Sequence, residues 1–549
     1  MIGKLQVGAA VACVAAMTAA GAAEPFTAAT TDALMWLWAD SAIKLSETIG
    51  EVDVPANGVA DVNILLNGLA SGEPVRVSCA QGGELYRLQA VPVRRNSGKF
   101  GFIEMTAGTN PYVQRRAPFE VFDILRPIAD GAIADPKAVE AVRWIGRGPW
   151  TVGTNRVTFT VRQGETVRTL GFRVIAHAAK LPPVGRGGFK YTNWFNFNQI
   201  AVRHRVKPWS EEHWALVGKY VEMAAAGRQN MSWFPTGFVL NPKEEPKFAR
   251  LLSLYDKAGI WYLEGPHLAS FNGPWGSPDF KVCGTTNVTT TAEGRRILED
   301  RCRRIACLLD KYNLRERWRQ HIADEPNEAN AEEYRRTAAI VRAQLPGIRL
   351  TDAVGMTGFE DVIDIPCPTV DQYEKHREGF LRAKDEVWTY VCCVPGGRWM
   401  NRFMDVELLR PTLLPWASVH FGVKGFLHWG YNQWQPDQDP FLEPYPKTWA
   451  GSNNGRTLPP GDTHIVYPGT DGPWASARLE ATRQGMEDAE LLLQLKAKDE
   501  AAAERIIRRI VYTYWHFEAE TPAYRQARRE LLSALSSADI SVPIGNNWH

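Results

Sequence analysis

The sequence predicts a multidomain α/β protein: a (β/α)8 TIM-like barrel preceded by a β-sandwich domain, with C-terminal helices packed on the barrel. Three observations carry this. Between Phe189 and Trp429, short β-prone runs alternate with amphipathic helical runs, the rhythm of an α/β barrel. Before them lie β-rich segments punctuated by Gly, Asn and Pro, as in sandwiches. After them, two long amphipathic stretches close the chain. A length of 549 residues suits two or three domains and a large core.

Residues 1–23 read as a secretory signal peptide. Lys4 gives a positive start, Leu5–Ala20 is apolar, and Ala20, Gly21, Ala22 and Ala23 offer a cleavage site. The implied destination is the periplasm or the cell exterior, with no membrane span once the signal is removed. Residues 24–180 form the expected sandwich, with β-rich runs at Val62–Leu66, Val75–Cys79, Glu84–Pro92, Val157–Val161 and Thr166–Ala176. Asp123, Asp130 and Asp135 read there as solvated loop acids. Residues 181–188, rich in Pro and Gly, form a linker.

The barrel is expected over residues 189–480, about 290 residues, which suits the fold. Its strands are Lys190–Phe195, Met231–Phe234, Ile260–Glu264, the step His321–Ala323, Ile348–Ala353, Thr369–Tyr373, Glu386–Val391 and Gly425–Trp429. Its helices are Ser210–Gly227, Glu245–Ala258, Ala292–Trp318, Asn330–Leu345 and Asp405–Phe421. The long polar loop Phe271–Thr291, which holds Trp275, is placed as a roof over the site. Residues 481–549 form a C-terminal helical segment, the helical runs themselves being Ala475–Lys496 and Ala501–Leu535.

Composition excludes some partners. Formal charge is +2, from 63 basic and 61 acidic residues, so neither nucleic acid nor an anionic surface is indicated. The 20 Trp, 16 Tyr and 22 Phe suit a carbohydrate protein, since aromatic faces stack on sugar rings, although they serve core packing equally well. Of eight cysteines, Cys13 lies in the signal, and the odd remainder leaves at least one unpaired in a monomer. Cys392 and Cys393, adjacent on a strand, should point to opposite faces. No Cys/His set has zinc spacing, so neither metal nor cofactor is expected. The sequence specifies no oligomeric state.

The chemistry centres on residues 319–328, where a short apolar step meets Asp324, Glu325 and then Pro326. Barrel chemistry sits at C-terminal strand ends, and Pro326 cannot continue a ladder. Two adjacent carboxylates in a partly dry pocket push one pKa up, so one can hold a proton while the other stays anionic. Glycoside cleavage needs that division of labour. The same residues also suit the first turn of a helix.

Five stretches in one order then carry a resemblance: "HIADEP" at 321–326, "WTYVCCVPGGRWMNRFMD" at 388–405, "GVKGFLHWGYNQW" at 422–434, "IVYPG" at 465–469 and "SARLEATRQGMEDAELL" at 476–492. Across roughly 189–500 the chain resembles glycoside hydrolase family 123 and its associated domain of unknown function. The resemblance implies a β-N-acetylgalactosaminidase that retains configuration by substrate assistance, with an oxazoline intermediate. Asp324 would orient and polarise the acetamide N–H. Glu325 would protonate the leaving oxygen and then activate water. A double-displacement enzyme would instead need a second carboxylate about 5 Å from the acid. The later strand ends offer His428, Trp429, Tyr431 and Asn432 but no Asp or Glu, leaving Glu374 as the rival nucleophile.

Strand-end positions nominate Trp194, Trp233, His267, Tyr373, Trp429, Tyr431 and Trp434 as walls or a sugar platform. Asn193, Asp371, His428 and Asn432 are candidates for bonding hydroxyls, and His321 for support inside the barrel. Arg398, Asn401 and Arg402 could read a carboxylate or sulfate on a glycan, or form a structural ion pair. The alternatives to an exported acetamido-sugar hydrolase are a barrel glycosidase on a non-acetamido sugar and a non-catalytic glycan-binding protein.

Overall fold

The computed structural model describes residues 25–383, 386–447 and 457–537; the signal-peptide expectation for 1–23 lies outside them. None of the helices described is long and apolar enough to cross a membrane.

Two five-stranded sheets come first. Strands Thr27–Thr31, Val59–Asn67, Val139–Arg147, Glu84–Val93 and Phe119–Pro127 lie side by side in that spatial order, all antiparallel. The other sheet runs Glu51–Pro55, Thr166–His177, Gly153–Gln163, Val75–Cys79 and Ala132–Ile133. Its first pair is parallel. Side-chain alternation along a strand decides where each residue goes. In Val59–Asn67, Val62, Ile64 and Leu66 pack with Phe159, Val161, Phe172 and Val174 of the second sheet. Leu65, on the other face, joins the large core shared with the rest of the chain. Trp144 meets Phe159 edge-on, with ring centroids 5.5 Å apart. The first sheet is thus covered on both faces.

Buried ion pairs fasten this region to the end of the chain. Asp123 is a fully buried strand residue, not a loop acid. It pairs with Arg478 at 2.9 Å and accepts the Tyr467 hydroxyl at 2.6 Å. Arg525 of the last helix, Thr521–Ser536, pairs with Asp32 at 2.6 Å.

Eight parallel strands follow, in chain order Lys190–Asn193, Met231–Trp233, Tyr262–Gly265, Trp318–Gln320, Arg349–Ala353, Ile365–Cys367, Trp388–Tyr390 and Gly425–His428. The first, eighth and seventh form one sheet, and the second to sixth form another in sequence order. Between the sheets, the Asn230 amide donates to Tyr191 O at 3.3 Å on one side. On the other, Thr369 bridges Tyr390 in parallel register. Helices Glu211–Ala226, Glu245–Ala258, Ala292–Lys311, Ala331–Gln344, Val370–Ala383 and Arg410–His420 connect most of these strands.

Several expected elements differ. The helix from Ala292 stops at Lys311, because Asn313 turns left-handed at φ 54° just beyond it. Trp318 therefore opens the fourth strand, and His321–Ala323 lie past its end. The sixth strand is Ile365–Cys367; Thr369–Tyr373 instead winds into the following helix, with Asp371 in its first turn. The Arg410–His420 helix starts late, with a proline in its first turn. The final helical run is broken into Glu500–Ile507 and Thr521–Ser536, the second also opened by a proline. The helix at 475 begins at Ala477, capped by Ser476, whose Oγ accepts from Leu479 N–H at 3.0 Å. It packs on Arg410–His420, where Trp416 donates to Asp488 at 3.1 Å.

Candidate active site

The fourth strand ends at Gln320 and the chain turns away from the ladder. Its exit is held by Asp352 of the fifth strand, whose carboxylate accepts the Ile322 amide at 3.0 Å and the Ala323 amide at 3.2 Å. Asp324 and Glu325 thereby stand at the C-terminal strand end. Glu325 adopts φ 48°, left-handed for a residue with a side chain. Backbone strain of this kind collects at functional positions. Its carboxylate is held from two sides: the Tyr390 hydroxyl donates to Oε1 at 2.6 Å and the Trp275 indole N–H to Oε2 at 3.0 Å. The loop after the third strand, which contains the small hairpin Ala269–Phe271 and Phe280–Val282, carries Trp275 to the acid.

Beneath the pair lies a buried charged network. His321 Nδ1 faces Asp352 Oδ1 and Nε2 faces Glu264 Oε2, each at 3.1 Å. Glu264 also accepts from Thr192 at 2.5 Å and from the Trp194 indole at 3.0 Å. Asp352 also accepts the Tyr334 hydroxyl at 2.5 Å. Burial works against a charged His321, but Asp352 and Glu264 outweigh it and push its pKa up to about 10. For Asp352 burial is the largest influence, and its carboxyl is raised despite His321. The two partners thus point in different directions. Geometry decides between them: only an imidazolium donates from both nitrogens, and both face carboxylates here. The histidine of the network therefore carries a proton on each ring nitrogen, one aimed at each carboxylate.

Asp324 is exposed to solvent, although protein groups crowd its carboxyl. Burial, then the Glu325 and Asp352 carboxylates, push its pKa up to about 7, and His321 opposes them. One carboxylate of the pair is raised, as neighbouring carboxylates should be, but it is Asp324, whereas the roles that the resemblance implies place the transferable proton on Glu325.

Aromatic rings flank the network. Trp194 stacks on Trp233, centroids 5.4 Å apart and planes 12° from parallel. It meets His321 and His267 edge-on. His267 is held neutral, mainly by burial and then by His321, and its Nε2 has no hydrogen-bond partner among the described residues. His267, His321 and Asp352 bring possible metal-ligand atoms within 4.8 Å of one another. His321 has no lone pair to spend there, because both its nitrogens serve carboxylates. At the eighth strand, the Trp429 indole donates to Asp462 at 3.2 Å, and His428 Nε2 lies 3.4 Å from the same carboxylate. Burial pushes Asp462 up to about 7 against the pull of Arg402.

The structure thus groups Asp324 and Glu325 with Trp194, Trp233 and His267, and places His428 and Trp429 around Asp462. Other nominated residues serve elsewhere. Tyr373 is fully buried on the helix after the sixth strand, its hydroxyl on Phe421 O at 3.0 Å. Asp371 shares that helix's first turn. Tyr431 is fully buried, packs on Phe195 and donates to Tyr220 O at 2.9 Å. Asn432 spends its amide on the Asn196 backbone, at 2.7 and 3.0 Å. Trp434 is core, and Asn193 binds Gln229 and Arg402. Arg402 is buried against Asn193 and backbone carbonyls, and Asn401 ties Cys392 O and Pro395 O. Arg398 stacks on Trp515 at 3.8 Å. Glu374 accepts the Tyr514 amide.

Glu264, Asp352, Tyr390 and Asp462 escaped the sequence reading. The signal for Glu264 was present: a lone carboxylate closing an apolar strand. Asp352 likewise interrupts a β-prone run. Asp462 lies in a distant loop, where nothing local marks it.

Residues 247–495 match the family model described as glycoside hydrolase 123, catalytic domain. That span contains every acid named in this site. Among solved structures, a family 123 glycoside hydrolase from Clostridium perfringens, described for glycolipid glycan hydrolysis, is similar at TM-score 0.69 and 13% identity. The likeness covers 93% of this chain and 98% of that one, and it is a likeness of fold. β-Glucuronidases from Dictyoglomus thermophilum (TM-score 0.35, 9% identity, 80% of this chain and 69% of that one) and Parabacteroides merdae (TM-score 0.28, 10% identity, 76% and 49%) overlap more loosely. No curated protein matches the sequence.

Proposed function

The chain carries a family 123 glycoside hydrolase catalytic domain and is a glycoside hydrolase, and from that premise we propose that it cleaves terminal β-linked N-acetylgalactosamine, or a related 2-acetamido sugar, by substrate assistance. In this reading the Asp324 carboxylate accepts the acetamide N–H and polarises the group. The acetamide oxygen attacks the anomeric carbon while Glu325 gives its proton to the leaving oxygen. Glu325 then takes a proton from water as water opens the oxazoline. Trp194 and Trp233 are proposed as a sugar platform, with His267 and Trp429 as further contacts. A glycan borne on a lipid is the proposed substrate class, by analogy with the Clostridium perfringens enzyme.

One observation carries the reading: the other carboxylates around the pair are occupied by protein donors. Glu264 accepts from Thr192, Trp194 and His321. Asp352 accepts two amides, Tyr334 and His321. Asp462 accepts Trp429, and the rival nucleophile Glu374 lies elsewhere, on the helix after the sixth strand, where it serves Tyr514. A nucleophile supplied by the substrate removes the need for any of them.

Within this proposal, the two parallel sheets are arcs of one (β/α)8 barrel, supported by the Asn230–Tyr191 and Thr369–Tyr390 links between them. Its bounds are 189–480, after a sandwich at 24–180 and a linker at 181–188, with 481–549 as the helical tail. Residues 1–23 direct export.

The test compares aryl β-N-acetylgalactosaminide with aryl β-N-acetylglucosaminide and plain β-galactoside, with and without a thiazoline mimic of the oxazoline. Turnover of an acetamido sugar and strong thiazoline inhibition are expected. Cleavage of the plain galactoside would overturn substrate assistance.

Two further outcomes follow. Protonating Asp324 removes the acceptor for the acetamide, and its raised pKa of about 7 places that loss near neutrality. On the acid side kcat/KM falls about tenfold per pH unit, and Asp324→Asn lacks this limb. A wild-type limb beginning at about 4, the ordinary carboxylate range, would refute the assignment. Trp275→Phe keeps an aromatic side chain, though a smaller one, and removes the N–H on Glu325. The expected loss in kcat is about fivefold, the worth of one hydrogen bond near 1 kcal/mol; an unchanged kcat would mean the contact is idle during turnover.

A further inference from the structure

The chain beyond the seventh strand does something the strand pattern did not predict. Cys392 and Cys393 were expected on opposite faces. The backbone bends there instead, and the two sulfurs lie 3.9 Å apart on one side. Both residues are part-exposed. The bend is held on each side: Asn401 Nδ2 donates to Cys392 O at 2.9 Å, and the Phe102 amide donates to Cys393 O at 2.8 Å. Among the described residues no other cysteine sulfur is paired with either; Cys302 is buried in the large core, and Cys367 in the small apolar cluster that Cys392 packs against.

We propose that Cys392 and Cys393 are an oxidation site at which the two adjacent thiols close to a vicinal disulfide. The sulfurs need only approach from contact to bonding distance, about 2 Å, without moving separate elements together. The proposal is independent of the sugar the enzyme cleaves.

The oxidant is a small disulfide, R–S–S–R. One cysteine thiolate attacks it, forming a mixed disulfide and expelling R–S⁻. The neighbouring sulfur then attacks the cysteine sulfur of that mixed disulfide and expels the second R–S⁻. Two cysteine protons end on two R–SH, so one disulfide is formed and one is reduced. Cys392 holds its proton strongly, because the Cys393 sulfur beside it and then burial oppose its thiolate, with Asp462 and Glu325 adding to both. Adjacent Cα atoms lie about 3.8 Å apart, short of the usual disulfide span, so reductant reopens such a ring readily. The position is also functional: Cys392 follows Tyr390, the donor to Glu325, by two residues.

The test uses the full chain. Purified protein is incubated with oxidised glutathione, treated with N-ethylmaleimide, digested, and its 392–393 peptide weighed. The expected peptide is lighter by two hydrogens, unalkylated, and alkylated on both sulfurs after dithiothreitol. Exposed Cys307 serves as the internal control, since among the described residues it has no cysteine paired with it and is expected as an alkylated thiol or a glutathione adduct. In Cys393→Ser, Cys392 is expected to remain a thiol or stop at the mixed disulfide. Should that variant fail to fold, the wild-type peptide alone decides. Alkylation of both cysteines after oxidation, a persistent glutathione adduct on either, or pairing with a different cysteine would overturn the proposal.

Discussion

Glu325→Gln is expected to cut hydrolysis of a β-N-acetylgalactosaminide with a poor leaving group by about 10²–10⁴-fold, the usual worth of a positioned acid. The substitution is nearly isosteric. Trp275 can only donate, so the new amide turns its oxygen to Trp275 and its NH2 to Tyr390, whose hydroxyl can accept. Both contacts survive, and only the transferable proton is lost. The thermal midpoint should stay close to wild type while kcat collapses. Substrates with good leaving groups need less protonation, so their first step should suffer least. Retention of activity within tenfold, on a substrate with a poor leaving group, would remove Glu325 from the acid role.

His321→Ala is expected to be the most damaging single change to stability. It withdraws the cation from between Glu264 and Asp352, both fully buried. Breaking one partner out of a buried pair costs about 3–5 kcal/mol, because an uncompensated charge is left behind. The pH dependence carries the sign. A histidine raised to about 10 on folding stabilises fully below its unfolded pKa of about 6.5, and that contribution fades as pH rises toward 10. Wild type should therefore lose stability from neutral to alkaline pH, and the variant should lack that slope. Denaturant unfolding at neutral and alkaline pH measures both. Equal stability of the two proteins at pH 7 would mean the network carries no net charge pair.

Much of the frame was legible in local patterns. Glu245–Ala258 was read to its exact ends, because its apolar spacing, first-turn proline and following Gly259 all agree. The Asp324–Glu325 pair was legible because it ends an apolar step before a proline. The missed boundaries depend on conformations that no residue type enforces. Asn313 can sit in a helix or turn left-handed. Thr369–Tyr373 is as β-prone as helical until packing chooses. Tyr373, Tyr431 and Asn432 carry the chemistry of binding residues, yet their polar atoms face backbone groups from other elements.

The sequence by itself determined most of the order of elements, the resemblance to the family and the place of the acidic pair, because periodicity, turn chemistry and contiguous motifs are properties of neighbouring residues. Tertiary structure alone decided what surrounds that pair. Glu264 and Asp352 come from the third and fifth strands and His321 from just beyond the fourth, and Tyr390 and Trp275 reach Glu325 across gaps of 65 and 50 residues. A buried histidine protonated on both nitrogens, or a carboxyl pushed toward neutrality, depends on distances between such segments. Coulomb energy and desolvation act through space, and no local spacing encodes them.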